Sequence, residues 1–125
     1  MGIIFKNVKI LVVEDDIGIR DLTVNALTYC VNREIKSFRN GRAAWDYLEQ
    51  GGQADIIISD VDMPQMDGFE LMERVKAKGS ATIFIIMSGV DDYEEKAELR
   101  GADAFLAKPF AITDLFNIVQ TYIAD

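Results

Sequence analysis

Short apolar runs alternate along this chain with segments in which apolar residues recur every third or fourth position. Val8 to Val13 is rich in β-branched residues, too short for a buried helix and typical of a strand covered on both faces. Similar runs follow at Ala54 to Ser59, Thr82 to Met87 and Ala104 to Ala107, with a weaker one at Glu34 to Phe38. Between them lie segments of helical spacing: Ile19, Leu22 and Ala26; Ala44, Trp45 and Leu48; Leu71, Met72 and Val75; and Ala97, with Gly101 closing the turn. Ile112, Leu115, Phe116, Val119, Tyr122 and Ile123 make the clearest amphipathic face. The predicted order is βαβαβαβαβα.

Strands alternating with helices imply a parallel sheet with right-handed crossovers and helices on both faces, a doubly wound α/β domain. Ligands of such sheets bind outside the carboxyl ends of the strands, so the residues following each apolar run carry the candidate chemistry. These are Glu14-Asp15-Asp16, Asp60-Val61-Asp62, Ser88-Gly89 and Lys108-Pro109. Carboxylates, a hydroxyl and an ammonium would therefore meet at one edge of the sheet.

At 125 residues the chain has room for one domain, read as residues 1–125 with no second, output domain. Thirteen basic against 21 acidic residues give a net charge of -8, which disfavours direct binding of nucleic acid or an anionic membrane surface. There is no histidine, which removes Ser-His-Asp and Cys-His catalysis and imidazole-bound zinc. The single cysteine, Cys30, reads as a small core hydrophobe, and its isolation fits a reducing compartment. No stretch reaches the ~18 apolar residues of a membrane span. The expectation is a soluble, cytoplasmic domain.

Crowded carboxylates repel, and the usual reason to hold them ionised together is a hard cation with oxygen ligands. Asp15 and Asp60 are the first candidates as ligands. Mg²⁺ commonly leaves room for phosphate oxygens, so a divalent site beside Ser88 and Lys108 points to phosphoryl chemistry, with Asp60 able to attack and form an acyl phosphate. Asp16 reads as a helix N-cap and Asp67 as a turn residue before Gly68. The acid-rich run Asp91, Asp92, Glu94, Glu95 and Glu98 is open between helix-start acids and a partner-binding face. Trp45 reads as packing.

Four stretches taken together resemble the receiver domains of two-component response regulators: Ile10 through Asp16, Asp60 through Gly68, Met87-Ser88-Gly89, and Ala104 through Phe110. The likeness runs from about Lys9 to Ile123. It implies a flavodoxin-like five-stranded sheet of order 2-1-3-4-5, built as (βα)5. It makes Asp60 the phosphoacceptor, Glu14 and Asp15 the acidic pair with Asp15 a direct metal ligand, and Asp62 the donor of a backbone carbonyl to Mg²⁺, or Mn²⁺ in its place. Ser88 matches the hydroxyl that bonds the phosphoryl oxygens, Lys108 the lysine that ion-pairs with them, and Phe105 the switch aromatic. The Lys108-Pro109 bond is implied to be cis. Ser88 stands where Thr is frequent and Phe105 where Tyr is, so any switching at Phe105 acts through packing.

The resemblance implies a phosphorylation switch rather than a turnover enzyme. Its donor is a sensor histidine kinase or histidine phosphotransfer domain, and its output a downstream protein met by the surface of the fourth helix, fifth strand and fifth helix, as a monomer or an activation-dependent dimer. The alternatives are a receiver excised from a larger regulator or hybrid kinase, and a haloacid dehalogenase-like phosphatase using Asp60 and Asp62. A flavodoxin is disfavoured because acids stand where its phosphate loop would be.

Overall fold

The computed structural model describes residues 8–31 and 34–123, the side chains of Cys30 and Val31 excepted, so the reading of Cys30 as a core residue lies outside what is described. Five strands, β1 (Lys9–Val13), β2 (Glu34–Phe38), β3 (Ile56–Asp60), β4 (Ile83–Ser88) and β5 (Ala104–Ala107), alternate with five helices. The helices are α1 (Ile17–Val31), α2 (Gly41–Glu49), α3 (Gly68–Ala77), α4 (Tyr93–Leu99) and α5 (Ile112–Gln120). The sheet order is β2-β1-β3-β4-β5, every pair parallel, as expected.

The strand period of two divides the core between the two faces. Ile10, Val12, Ile56, Ile58, Ile83, Ile85 and Met87 pack with Ala26 and Leu27 of α1 and Leu115 and Val119 of α5. Leu11, Val13, Ile57, Phe84 and Ile86 pack on the other face with α2, α3 and α4. Residues in β1, β3 and β4 are thus covered on both sides, which is why their sequences read as unbroken apolar runs. Trp45 is half-buried against this second cluster, with Lys78 Nζ 5.3 Å and the Arg74 guanidinium 5.7 Å from its ring centre.

Two helical faces differ from the expected ones. Among the described side chains of α1 the buried ones are Thr23, Ala26 and Leu27, whereas Leu22 is 49% exposed. Thr23 tolerates the core because its hydroxyl donates to the Ile19 carbonyl at 2.7 Å, leaving no unsatisfied polar atom. In α5, Leu115 and Val119 are buried while Ile112, at the helix start, is exposed. Among the described residues no helix is long and apolar enough to cross a membrane.

Candidate functional site

The strand ends position the site. Asp60 and Ser88 are not the first residues past β3 and β4 but their last, paired in register with Met87 and Ala107 respectively. Glu14 continues the ladder just beyond β1, its N–H bonding the Phe38 carbonyl at 3.0 Å, and the Lys108 N–H bonds the Ser88 carbonyl at 2.9 Å. The Lys108-Pro109 bond is cis. Glu14, Asp60, Ser88 and Lys108 are therefore tied to sheet backbone, which limits their movement, whereas Asp15 and Asp62 stand in the loops beyond β1 and β3.

The side chains converge. Carboxylate oxygens of Glu14, Asp15 and Asp60 lie within 4.8 Å of one another. Lys108 Nζ bridges two of them, 2.5 Å from Glu14 Oε1 and 3.2 Å from Asp60 Oδ1. Glu14 is 1% exposed and Asp60 8%, while Asp15 is exposed to solvent. The second Glu14 oxygen accepts from the Asp16 N–H at 3.2 Å, and Arg20 Nη1 donates to the Glu14 carbonyl at 3.0 Å. Ser88 is buried and its Oγ accepts from the Val90 N–H at 3.0 Å, so its own O–H is a donor for another group. Phe105 is half-buried against the α2–α4 side of the core.

Burial pushes the Glu14 carboxyl up to about 7, against the downward pull of the Lys108 ammonium and the Asp16 N–H. Burial lowers the affinity of Lys108 for its proton, but the hydrogen bond that its ammonium donates to Glu14 and the charge of Asp60 outweigh it, and the ammonium is held above its usual range. Both shifts favour added positive charge, that of Glu14 chiefly through burial and that of Lys108 through the Glu14 and Asp60 carboxylates. That donor set of clustered carboxylate oxygens fits a hard divalent cation. Loss of one carboxylate from this cluster predicts that Asp15→Asn does not destabilise the metal-free protein while weakening Mg²⁺ binding at least about tenfold. Paired thermal denaturation and calorimetric titration check both halves, and a variant that is less stable or binds Mg²⁺ normally contradicts them.

Asp16 and Asp67 fill the expected structural roles: their Oδ1 atoms accept from the Ile19 N–H at 2.9 Å and the Glu70 N–H at 2.8 Å, capping α1 and α3. Asp92, at the N-cap position of α4, makes no side-chain cap bond, while Glu94 and Glu95 stand in the first turn, as the helix-start reading of the acid-rich run expects. Asp62 is exposed, and its Oδ1 accepts from the Tyr93 hydroxyl at 3.2 Å. Neither Tyr93 nor Arg20 stands out in the sequence as a neighbour of the site. Gln65 and Met66 in the β3–α3 loop adopt left-handed backbone, φ 54° and 91°, without the glycine that would signal it.

Residues 10–120 match the family described as the response regulator receiver domain. Response regulator Rre1 of Synechocystis is 29% identical over 94% of this chain and 52% of its own length. The transcriptional regulator NtrC of Azospirillum brasilense is 34% identical over 89% of this chain and 23% of its own. This chain thus spans about half the first relative and a smaller part of the second. Among solved structures, the chemotaxis protein CheY4 of Vibrio cholerae superposes with a TM-score of 0.79 at 30% identity, covering 90% of this chain and 96% of that one. A Francisella receiver domain gives 0.82 at 26% identity, covering 90% and 93%. With sheet order, edge chemistry and likeness in agreement, this chain belongs to the response regulator receiver domains of two-component signalling.

Proposed function

We propose that Asp60 accepts a phosphoryl group from a phosphohistidine on a partner protein, a sensor histidine kinase or a histidine phosphotransfer domain. A carboxylate oxygen of Asp60 attacks phosphorus, the bond from phosphorus to the imidazole nitrogen breaks, and the imidazole leaves with that electron pair. The observation that carries this reading is the Asp60 carboxylate held within an acidic cluster with Lys108 Nζ 3.2 Å away.

The chain's own groups divide the work. Lys108 supplies a fixed positive charge for the phosphoryl oxygens, and the Ser88 hydroxyl a neutral donor beside it. Glu14, Asp15, Asp60 and the backbone carbonyl of Asp62 are the groups that would hold Mg²⁺ or Mn²⁺. When bound, the ion offsets the charge spread over the phosphoryl oxygens. The acyl phosphate then shifts a pre-existing equilibrium toward a conformation in which the α4–β5–α5 surface binds a downstream protein, with Phe105 responding through packing. The domain acts as a cytoplasmic switch that is modified and reset, not as a turnover phosphatase. The Asp62 carboxylate, which the phosphatase alternative needs as acid and base, is instead hydrogen-bonded to Tyr93.

Asp60→Asn keeps the shape of the side chain and removes the nucleophile. Incubation of that variant with a small phosphodonor and Mg²⁺ is expected to give no covalent phosphate, and stoichiometric labelling overturns the assignment.

A further inference from the structure

Helix α4 is lightly held. It is seven residues long, its N-cap residue Asp92 makes no side-chain bond, and Ala97 is its buried residue. Few buried contacts mean a low local cost of opening. Its first residue, Tyr93, supplies the attachment at its N-terminal end. The hydroxyl donates to Asp62 Oδ1 at 3.2 Å, and the ring meets buried Phe69 of α3 edge-on, centroids 5.6 Å apart at 80°. Lys96 Nζ lies 5.5 Å from the Tyr93 ring centre and 5.8 Å from that of Phe69, and at the other end of α4 the Arg100 guanidinium lies 5.0 Å from the Phe69 ring with its Nη1 3.6 Å from Glu73 Oε2. The hydrogen bond to Asp62 is also the leading cause that raises the Tyr93 phenol above its ordinary value.

Asp62 is two residues beyond Asp60 and is the residue whose backbone carbonyl the proposed function gives to the metal. Phe105 has no hydroxyl with which to bond Ser88, whereas Tyr93 places an aromatic hydroxyl on the loop that follows Asp60. We infer that Tyr93 is a positioning residue: through the Asp62 side chain it fixes the start of the β3–α3 loop and ties occupancy of the Asp60 site to the order of α4. The occupancy half of this inference rests on the function proposed above, and the tie between loop and helix does not. Coupling of this kind is reciprocal, so what orders the loop protects α4, and what frees α4 loosens the loop.

The test is amide hydrogen exchange across the full chain, for the native protein, Tyr93→Phe, Asp62→Ala, Asp62→Asn and the double variant Tyr93→Phe/Asp62→Ala. Phenylalanine keeps the ring against Phe69, and asparagine keeps an oxygen that accepts the hydroxyl. Without metal, exchange in α4 is expected to rise about threefold to tenfold in Tyr93→Phe and in Asp62→Ala, the range a single net hydrogen bond allows, and to stay native-like in Asp62→Asn. The double variant is expected to exchange no faster than either single one. Saturating Mg²⁺ is expected to slow α4 exchange in the native and Asp62→Asn chains and not in Tyr93→Phe. Unchanged α4 exchange in Tyr93→Phe, additive effects in the double variant, or equal Mg²⁺ protection in Tyr93→Phe overturns the inference. A calorimetric Mg²⁺ titration of the native chain separates the two claims. If Mg²⁺ binds and α4 does not respond, the coupling is wrong. If no Mg²⁺ binds, the proposed metal site is wrong and the metal-free comparison alone decides whether Tyr93 ties the loop to α4.

Discussion

Replacing Lys108 with alanine is expected to remove about 3 kcal/mol of folding stability in metal-free buffer, because it leaves buried carboxylate charge without its cation. The two partners are well enclosed, with side-chain exposures of 16% for Lys108 and 1% for Glu14, so solvent screens the loss little. Asp60 loses the same ammonium at 3.2 Å. The dependence on pH has a defined sign. Glu14 is raised from 4.5 to about 7 in the folded protein, so the folded state binds more protons than the unfolded one across that interval and stability falls as pH rises through it. Without Lys108 the folded value rises further and the interval extends upward. The variant's deficit is therefore greater at about pH 8 than at about pH 6, where Glu14 takes a proton at little cost. Adding Glu14→Gln to Lys108→Ala removes the buried charge and is expected to recover most of the loss. Urea denaturation at both pH values measures this. A deficit independent of pH, or a double variant no better than Lys108→Ala, contradicts it.

Gly68→Ala is the second large effect. A Cβ at Gly68 would stand 2.1 Å from the Asp60 carbonyl oxygen and 3.1 Å from Val61 Cα, both of them main chain. No side chain can rotate away, so either the start of α3 or the end of β3 must shift, against the Gly68 N–H bond to the Val61 carbonyl at 2.9 Å. Overpacking of this kind costs about 3 kcal/mol, the upper end for inserted carbon atoms. Because the displaced atoms include Asp60, phosphorylation is expected to slow as well. Gly79→Ala is the control: its φ is +75° and nothing lies within 4 Å of the added carbon, so the cost is only the left-handed backbone penalty of about 1 kcal/mol. Denaturant midpoints and labelling rates of the two variants separate the effects. Equal losses of stability, or a labelling rate unchanged by Gly68→Ala, contradict the close-approach argument.

The fold was legible because β1, β3 and β4 are covered on both faces, and a covered strand admits almost nothing but apolar residues. Their ends were less so. Ala54 and Thr82 extend the apolar runs but precede the strands, Thr82 turning its hydroxyl to the Ala54 carbonyl at 2.8 Å. Asp60 and Ser88 terminate the runs by chemistry while their backbones still pair. The face of α1 was misjudged at Leu22 because a local hydroxyl-to-carbonyl bond lets Thr23 occupy a core position, and hydropathy does not register such bonds. At the site, strand ends predicted which residues share an edge. They could not show that Lys108 bridges Glu14 and Asp60, since that depends on three separate strands arriving at one depth. The Tyr93 to Asp62 bond joins residues 31 apart, a loop and a helix start, where no periodicity carries a signal.

On the proposed function, Asp60 of this receiver domain is phosphorylated in a metal-dependent reaction. The most direct measurement is intact mass of the native chain after incubation with a small-molecule phosphodonor, with Mg²⁺ and with chelator, followed by peptide mapping of the adduct. One phosphoryl group per chain, formed only with Mg²⁺ and located on Asp60, is the predicted result. No adduct on a folded chain, or an adduct on another residue, would contradict it.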